Sequence, residues 1–188
     1  MSFLTRHSIS GFIVGILFTV ALEGAGLFLF MNSIDQGDAP EQVGLETPPV
    51  PSGINLRDMK FEFTDMLGHT KQSQELNGQV VVLNLWATWC PPCRAEMPSL
   101  DALWKRYQGR VGVYCISEEA LEDVRSNALL KTLGMPVYVF ASDAPEQIDT
   151  KGLPTTYIFG KDGRLLFTHT GMADWNSAEV CAFLDSLL

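Results

Sequence analysis

Positive charge is scarce in this chain: 13 Lys and Arg stand against 22 Asp and Glu, for a net charge of -9. The basic residues form no cluster of the kind that neutralises phosphates, which argues against a nucleic-acid partner. Histidine is scarcer still, at three. His69 and His169 fall at a loop and a strand end with no fixed spacing to the cysteines, so both are expected to be solvated rather than metal ligands. Cysteine occupies four positions. Only Cys90 and Cys93 lie close together, in Trp89-Cys90-Pro91-Pro92-Cys93. Such a CxxC has several readings: two zinc ligands awaiting two more, a structural disulfide, or a dithiol that cycles.

Its setting favours the last. The motif follows Val80-Val81-Val82-Leu83-Asn84-Leu85-Trp86, an apolar run that reads as a buried strand turning into a helix. That placement makes thiol-disulfide exchange the first hypothesis.

The compartment is read from the first 34 residues. Ile9 to Met31 is apolar and about as long as the roughly 20 residues that cross a hydrocarbon core. Arg6 and His7 precede it and Asp35, Asp38, Glu41 and Glu46 follow it, which predicts a cytosolic N-terminus and an exported remainder. A cleavable signal peptide would carry a shorter apolar region, of about 7 to 15 residues. Here Leu27 to Met31 continue the run past the small residues of Ala21 to Gly26, so an uncleaved anchor is expected. No cysteine follows the segment closely enough to carry a lipid. Glu23 would cost about 2.5 to 3.5 kcal/mol if ionised at the bilayer centre, and is read as a neutral or water-reached carboxyl.

Three parts follow: an anchor over residues 1–34, a proline-rich acidic linker over 35–55, and a domain over 56–188. Pro40, Pro48, Pro49 and Pro51 stiffen the linker and its carboxylates extend it. In the domain, Phe61 to Gly68 suggests an opening strand or hairpin, and Gln79 to Trp86 a central strand. Met97, Leu100, Leu103, Trp104 and Tyr107 recur at helical spacing. Val111 to Ile116 reads as the next strand. Ser117 is expected to cap a helix that opens with Glu118 and Glu119 and stops at Gly134. Val137 to Ala141 and Thr155 to Phe159 read as strands, and Lys161-Asp162-Gly163 as a hairpin turn into Arg164 to Thr168. Asn176 and Glu179 are expected to start a last helix with Cys181, Leu184 and Leu188 on one face. This order predicts an α/β domain, a mixed sheet between helices.

These residues resemble the thioredoxin superfamily, and within it the membrane-anchored extracytoplasmic branch of TlpA and ResA-like thiol-disulfide oxidoreductases. Three patterns carry the resemblance: Leu83 to Cys93, Arg94-Ala95-Glu96-Met97-Pro98, and Gly152-Leu153-Pro154-Thr155-Thr156-Tyr157-Ile158-Phe159 followed by Lys161-Asp162-Gly163. The resemblance implies a thioredoxin-like fold with a central insertion supplied by Ser117 to Ala141. It also implies that Pro154 is cis and packs beside the cysteines, with the peptide at Leu153 offering backbone groups to a client. A single pass through a bacterial cytoplasmic (inner) membrane, with the domain on its periplasmic side, is implied as well.

Helix geometry and the resemblance together make Cys90 the attacking thiol and Cys93 the resolving one, because a helix N-terminus favours a thiolate. Pro91 and Pro92 each lack an N–H, so two donors that could stabilise the Cys90 thiolate are missing. Without those donors, and without a histidine between the cysteines, the reduced form is less favoured and the couple more reducing. Asn84 stands where thioredoxin has a buried titrating aspartate and cannot carry a proton. Glu96, three residues after Cys93, is the candidate replacement, and the ResA-like branch has a glutamate at the matching position. Trp89 is expected to form an apolar lip over the site, Trp86 to face the core, and Pro98 to kink the helix. Cys115 and Cys181 are expected to be buried free thiols.

The function implied is reduction of disulfides in exported protein clients, apocytochrome c being one class, with electrons from a membrane thiol protein and no cofactor. A copper metallochaperone on the same fold is the alternative, although its cysteines would be spaced by three residues. A peroxidase would not need this motif.

Overall fold

The computed structural model describes residues 53–148 and 152–188. The expected anchor over residues 1–34 and most of the expected linker lie outside them. Among the described residues no helix is long and apolar enough to cross a membrane.

Seven strands form one mixed sheet: β1 (Glu62–Asp65), β2 (Thr70–Gln72), β3 (Val80–Leu85), β4 (Val111–Ser117), β5 (Val137–Phe140), β6 (Thr155–Phe159) and β7 (Leu165–Thr170), in the order β2-β1-β5-β4-β3-β6-β7. β3 runs parallel to β4 and antiparallel to β6. Its six residues are all buried, Asn84 among them, as a run apolar on both faces requires of a strand covered on both sides. The helices are α1 (Pro91–Tyr107), α2 (Leu121–Ser126) and α3 (Ala178–Ser186).

The two-residue period of the strands divides the core. Val80 and Val82 of β3, Val113 and Cys115 of β4, Val137 and Val139 of β5, and Ile158 of β6 face one side. There they meet Met97, Leu100 and Leu103 of α1, Val124 of α2, and Val180 and Leu184 of α3. Val81, Leu83 and Leu85 face the other side, with Phe61, Phe63, Tyr138, Tyr157 and Phe159. That second face is closed by Leu56 and Leu76, which sit in short 3-10 turns, and by Ile148, rather than by an α-helix among the described residues. The expected helical layer on both faces is thus corrected. Ser142 to Ile148 contains Pro145 and no apolar face at helical spacing, so it runs as bends and turns.

The opening hairpin, the long first helix and the strand Thr155–Phe159 fall where the sequence puts them. The central insertion does not. Ser117 ends β4, opposite Val139, instead of capping a helix. The helix starts at Leu121 after Ala120, which makes no side-chain cap, and stops at Ser126. Asn127 then accepts from Leu129 N–H and opens a 3-10 turn over Ala128–Thr132, because its short amide competes with the helical ladder. In α3, Ser177 rather than Asn176 is the cap, accepting from Val180 N–H at 3.3 Å. Leu188 is exposed rather than on the buried face. At the β6–β7 turn Gly163 has φ +83°, and a Cβ there would lie 2.4 Å from Asn55 Oδ1, so only glycine lets Asn55 and Leu56 close against this turn.

Candidate active site

Cys90 is the N-cap of α1, and Pro91 and Pro92 are its first helical residues, where a fixed φ suits the helix and a missing N–H costs the helical ladder nothing. The first N–H of the turn is therefore that of Cys93, which donates to Cys90 Sγ at 3.2 Å. The two cysteines form a disulfide, with Cα atoms 5.3 Å apart. Cys93 is fully buried, whereas Cys90 retains 4% exposure, the side from which a second sulfur can approach.

One turn further along, Glu96 is 2% exposed, not a solvated first-turn carboxylate. Its Oε1 accepts from Asn84 Nδ2 at 2.7 Å. Its Oε2 accepts from Trp175 Nε1 at 2.9 Å and Ala173 N–H at 3.2 Å. Burial raises its pKa from 4.5 to about 7, opposed by the bonds from Trp175, Asn84 and Ala173, which favour the anion. Asn84 is fully buried and also donates to Thr156 Oγ1 at 2.8 Å. A polar row therefore runs across the sheet from β6 through β3 to α1. Near neutral pH its carboxyl can both accept and return a proton.

The Leu153–Pro154 peptide is cis, as expected. Pro154 is buried, and its carbonyl accepts from Gly171 N–H at 2.9 Å. Leu153 and Trp89 line the same cavity of about 270 Å³, together with Trp86, Ile116, Glu118 and Glu119. Trp89 is 70% exposed and Trp86 only 1%, so one indole stands at the surface and the other belongs to the core. Pro91 and Pro92 are exposed beside Trp89. Pro98 lies inside α1, leaving the helix without one N–H at that turn.

Cys115 and Cys181 are buried and unpaired with each other, as expected. Burial, and then the charges of Glu96 and Asp101, push the Cys115 thiol well above its usual range. His169 departs from expectation: it is half-buried, stacks on Phe167 and meets the edge of Trp175, and its Nε2 has no partner. Its register opposite Thr156 turns it to the helix-covered face. His69 is exposed and pairs with Asp65 at 3.0 Å. Among the described residues no group of three or more His, Cys, Asp or Glu could hold a metal ion.

Four residues of the site escape sequence reading: Ala173, Trp175, Thr156 and the Thr88–Glu119 pair's acidic member. All reach it through tertiary contacts. The only local hint is Trp175 itself, an indole in a polar loop, Asp174-Trp175-Asn176, with no periodic apolar partner.

The AhpC/TSA family profile matches residues 56–167. The thioredoxin-like protein YneN of Bacillus subtilis is 31% identical over 115 residues, 59% of this chain and 68% of that protein. The thiol-disulfide oxidoreductase ResA of Bacillus thuringiensis is 29% identical over 155 residues, 80% of this chain and 83% of that protein. Among solved structures, the exposed lipoprotein thioredoxin Etrx1 of Streptococcus pneumoniae aligns with a TM-score of 0.53 at 26% identity, covering 69% of this chain and 98% of that one. The disulfide at the head of α1 and these similarities converge: the chain belongs to the AhpC/TSA family, as a thioredoxin-like thiol-disulfide oxidoreductase similar to the ResA proteins.

Proposed function

We propose that the chain is a membrane-anchored, extracytoplasmic reductase of disulfides in exported proteins, working through Cys90 and Cys93. The observation that carries the reading of a protein client is the cavity shared by Leu153 and Trp89, the chain neighbour of Cys90, which gives a client chain a docking place. In the reduced enzyme the Cys90 thiolate attacks one sulfur of the client disulfide, forming a mixed disulfide and releasing one client thiolate, which takes up a proton. Cys93 then loses its proton and attacks Cys90 Sγ, forming the Cys90–Cys93 disulfide and releasing the second client sulfur as a thiolate, which also takes up a proton. Two electrons and two protons have passed to the client.

Glu96 receives the Cys93 proton in this scheme. It stands one helical turn from Cys93, and its pKa of about 7 matches the task. Leu153 offers its backbone groups to the client, with the cis bond to Pro154 presenting them, and Trp89, Pro91 and Pro92 form the surface the client meets. A membrane thiol protein returns the electrons, and apocytochrome c fits the client class by its cysteine pair. The absent N–H groups of Pro91 and Pro92 favour a reducing couple, well below the strongly oxidising end of the scale at about -120 mV.

The experiment is Cys93→Ser expressed in the native envelope. Clients should be held on Cys90 as mixed disulfides that dissolve on reduction and can be identified. Recovery of no disulfide-linked protein overturns the reading.

A further inference from the structure

The turn that carries Cys90 is held by a side chain from the central insertion. Glu119 lies just beyond β4, thirty-one positions after Thr88. Its Oε2 accepts the Thr88 backbone N–H at 2.6 Å, and its Oε1 accepts the Thr88 hydroxyl at 2.5 Å. Glu119 is itself fixed from behind. Ser117 Oγ donates to Oε2 at 3.0 Å, and the Glu119 backbone N–H donates to Ser117 Oγ at 3.1 Å. Both carboxylate oxygens are thus occupied by Thr88 or Ser117, and the arrangement ties residues 117–119 to residues 87–89.

Thr88 stands between two unlike neighbours. Ala87 is 3% exposed and packs in the core, and its carbonyl accepts the Cys90 N–H at 3.2 Å. Trp89, on the other side, projects into solvent with 70% of its surface exposed. Core packing therefore cannot orient Trp89. The backbone at Thr88 is what sets its direction, and that backbone is gripped through its own N–H and its side chain at once. Charge-assisted bonds of this kind are about twice as strong as neutral ones. The gripping carboxylate and Trp89 line the same cavity, together with Leu153.

We infer that Glu119 is a positioning residue for protein disulfides: through Thr88 it holds the Trp89 lip and the Cys90 turn opposite Leu153, so that a client chain meets a preformed groove. This rests on the reading of the chain as a reductase of protein clients. Preorganisation of this kind acts on binding, because a loosened turn must be ordered each time a client docks. The sulfur chemistry itself stays with Cys90 and Cys93.

The test uses the full chain with dithiothreitol as electron source and a synthetic peptide carrying an intramolecular Cys-X-X-Cys disulfide as client. Thr88→Val, which loses the hydroxyl bond alone, should raise KM for the peptide roughly tenfold, and Glu119→Ala, which loses both bonds from Thr88, by at least as much, with kcat within about twofold of wild type for each. Thr88→Ser keeps both donors and should restore the wild-type KM. The double variant Glu119→Ala/Thr88→Val should be no worse than Glu119→Ala alone, because the bond that Thr88→Val removes is already lost there. If Glu119→Ala does not fold, Thr88→Val, which preserves side-chain shape, carries the comparison with Thr88→Ser.

Unchanged KM in the folded variants, a loss confined to kcat, or fully additive effects would each overturn the clamp while leaving the reductase reading intact. A wild-type enzyme that reduces the small disulfide dithiobis(nitrobenzoate) but never the peptide overturns the reductase reading, and the clamp with it.

Discussion

Trp175 donates its indole N–H to Glu96 Oε2 across 2.9 Å, although 79 positions separate them in the chain. Trp175 is fully buried, and Ser99 Oγ accepts its backbone N–H at 3.1 Å, so the loop after β7 is fastened to α1 by a side chain and by main chain. The carboxylate behind the cysteines is therefore held from two sides, by Asn84 of the sheet and by this loop.

The first prediction concerns pH. Glu96 has its ordinary value of 4.5 in the unfolded chain and about 7 in the fold. Between those values the folded protein binds more protons than the unfolded one, so this carboxyl makes stability fall as pH rises, levelling off above about pH 7. The loss amounts to ~3 kcal/mol across the window. Glu96→Gln does not titrate, so urea denaturation of the two oxidised proteins should show the variant gaining on wild type by up to that amount between about pH 4.5 and pH 8. Parallel pH dependences would show that Glu96 is not the group responsible. In the reduced enzyme, Glu96→Gln should also slow client reduction and alter the thiol titration, and unchanged values for both remove Glu96 from the mechanism.

Removing the indole donor should move the same titration in a known direction. Trp175→Phe deprives the Glu96 anion of one bond, so its midpoint should rise above about 7, followed by the infrared band of the protonated carboxyl. The variant also loses packing volume, which alone would lower stability at every pH. A lowered stability with an unmoved carboxyl midpoint would make Trp175 a packing residue only.

The paired prolines give a third test. Pro92→Ala restores an N–H at the second helical position, one of those that normally satisfies an N-cap side chain, here Cys90 Sγ. A hydrogen bond to a charged group contributes about 1.5 to 3 kcal/mol, so the Cys90 thiol pKa should fall by about one unit or more and the couple should become more oxidising. Thiolate absorbance against pH and equilibration with glutathione measure the two quantities. A thiol pKa that does not move would show that the missing donors do not set the poise.

The sequence was informative where a local rule acts. Val80 to Leu85 had to be an interior strand because apolar side chains occupy both of its faces. Met97, Leu100, Leu103 and Tyr107 recur with helical spacing, and all four are buried along α1. Cys90 fell at the helix N-terminus because Pro91 and Pro92 can begin a helix but cannot continue a strand ladder. Local rules failed where a side chain had a distant competitor. Ser117 and Glu119 read as a helix start, yet Glu119 is taken by Thr88 from another segment, and the helix begins four residues after Ser117.

By itself, then, the sequence determined the redox pair and the strand and helix that present it, since each depends on the period, the turn chemistry or the motif of a few neighbouring residues, while the cis Leu153–Pro154 peptide came from the family resemblance. Only the tertiary structure decided that Glu96 is buried, that Asn84 and Trp175 are its partners, that His169 turns inward, and that Glu119 grips the active-site turn. These depend on which sheet faces and loops meet, and a buried carboxylate takes whatever donors those contacts bring within hydrogen-bonding distance.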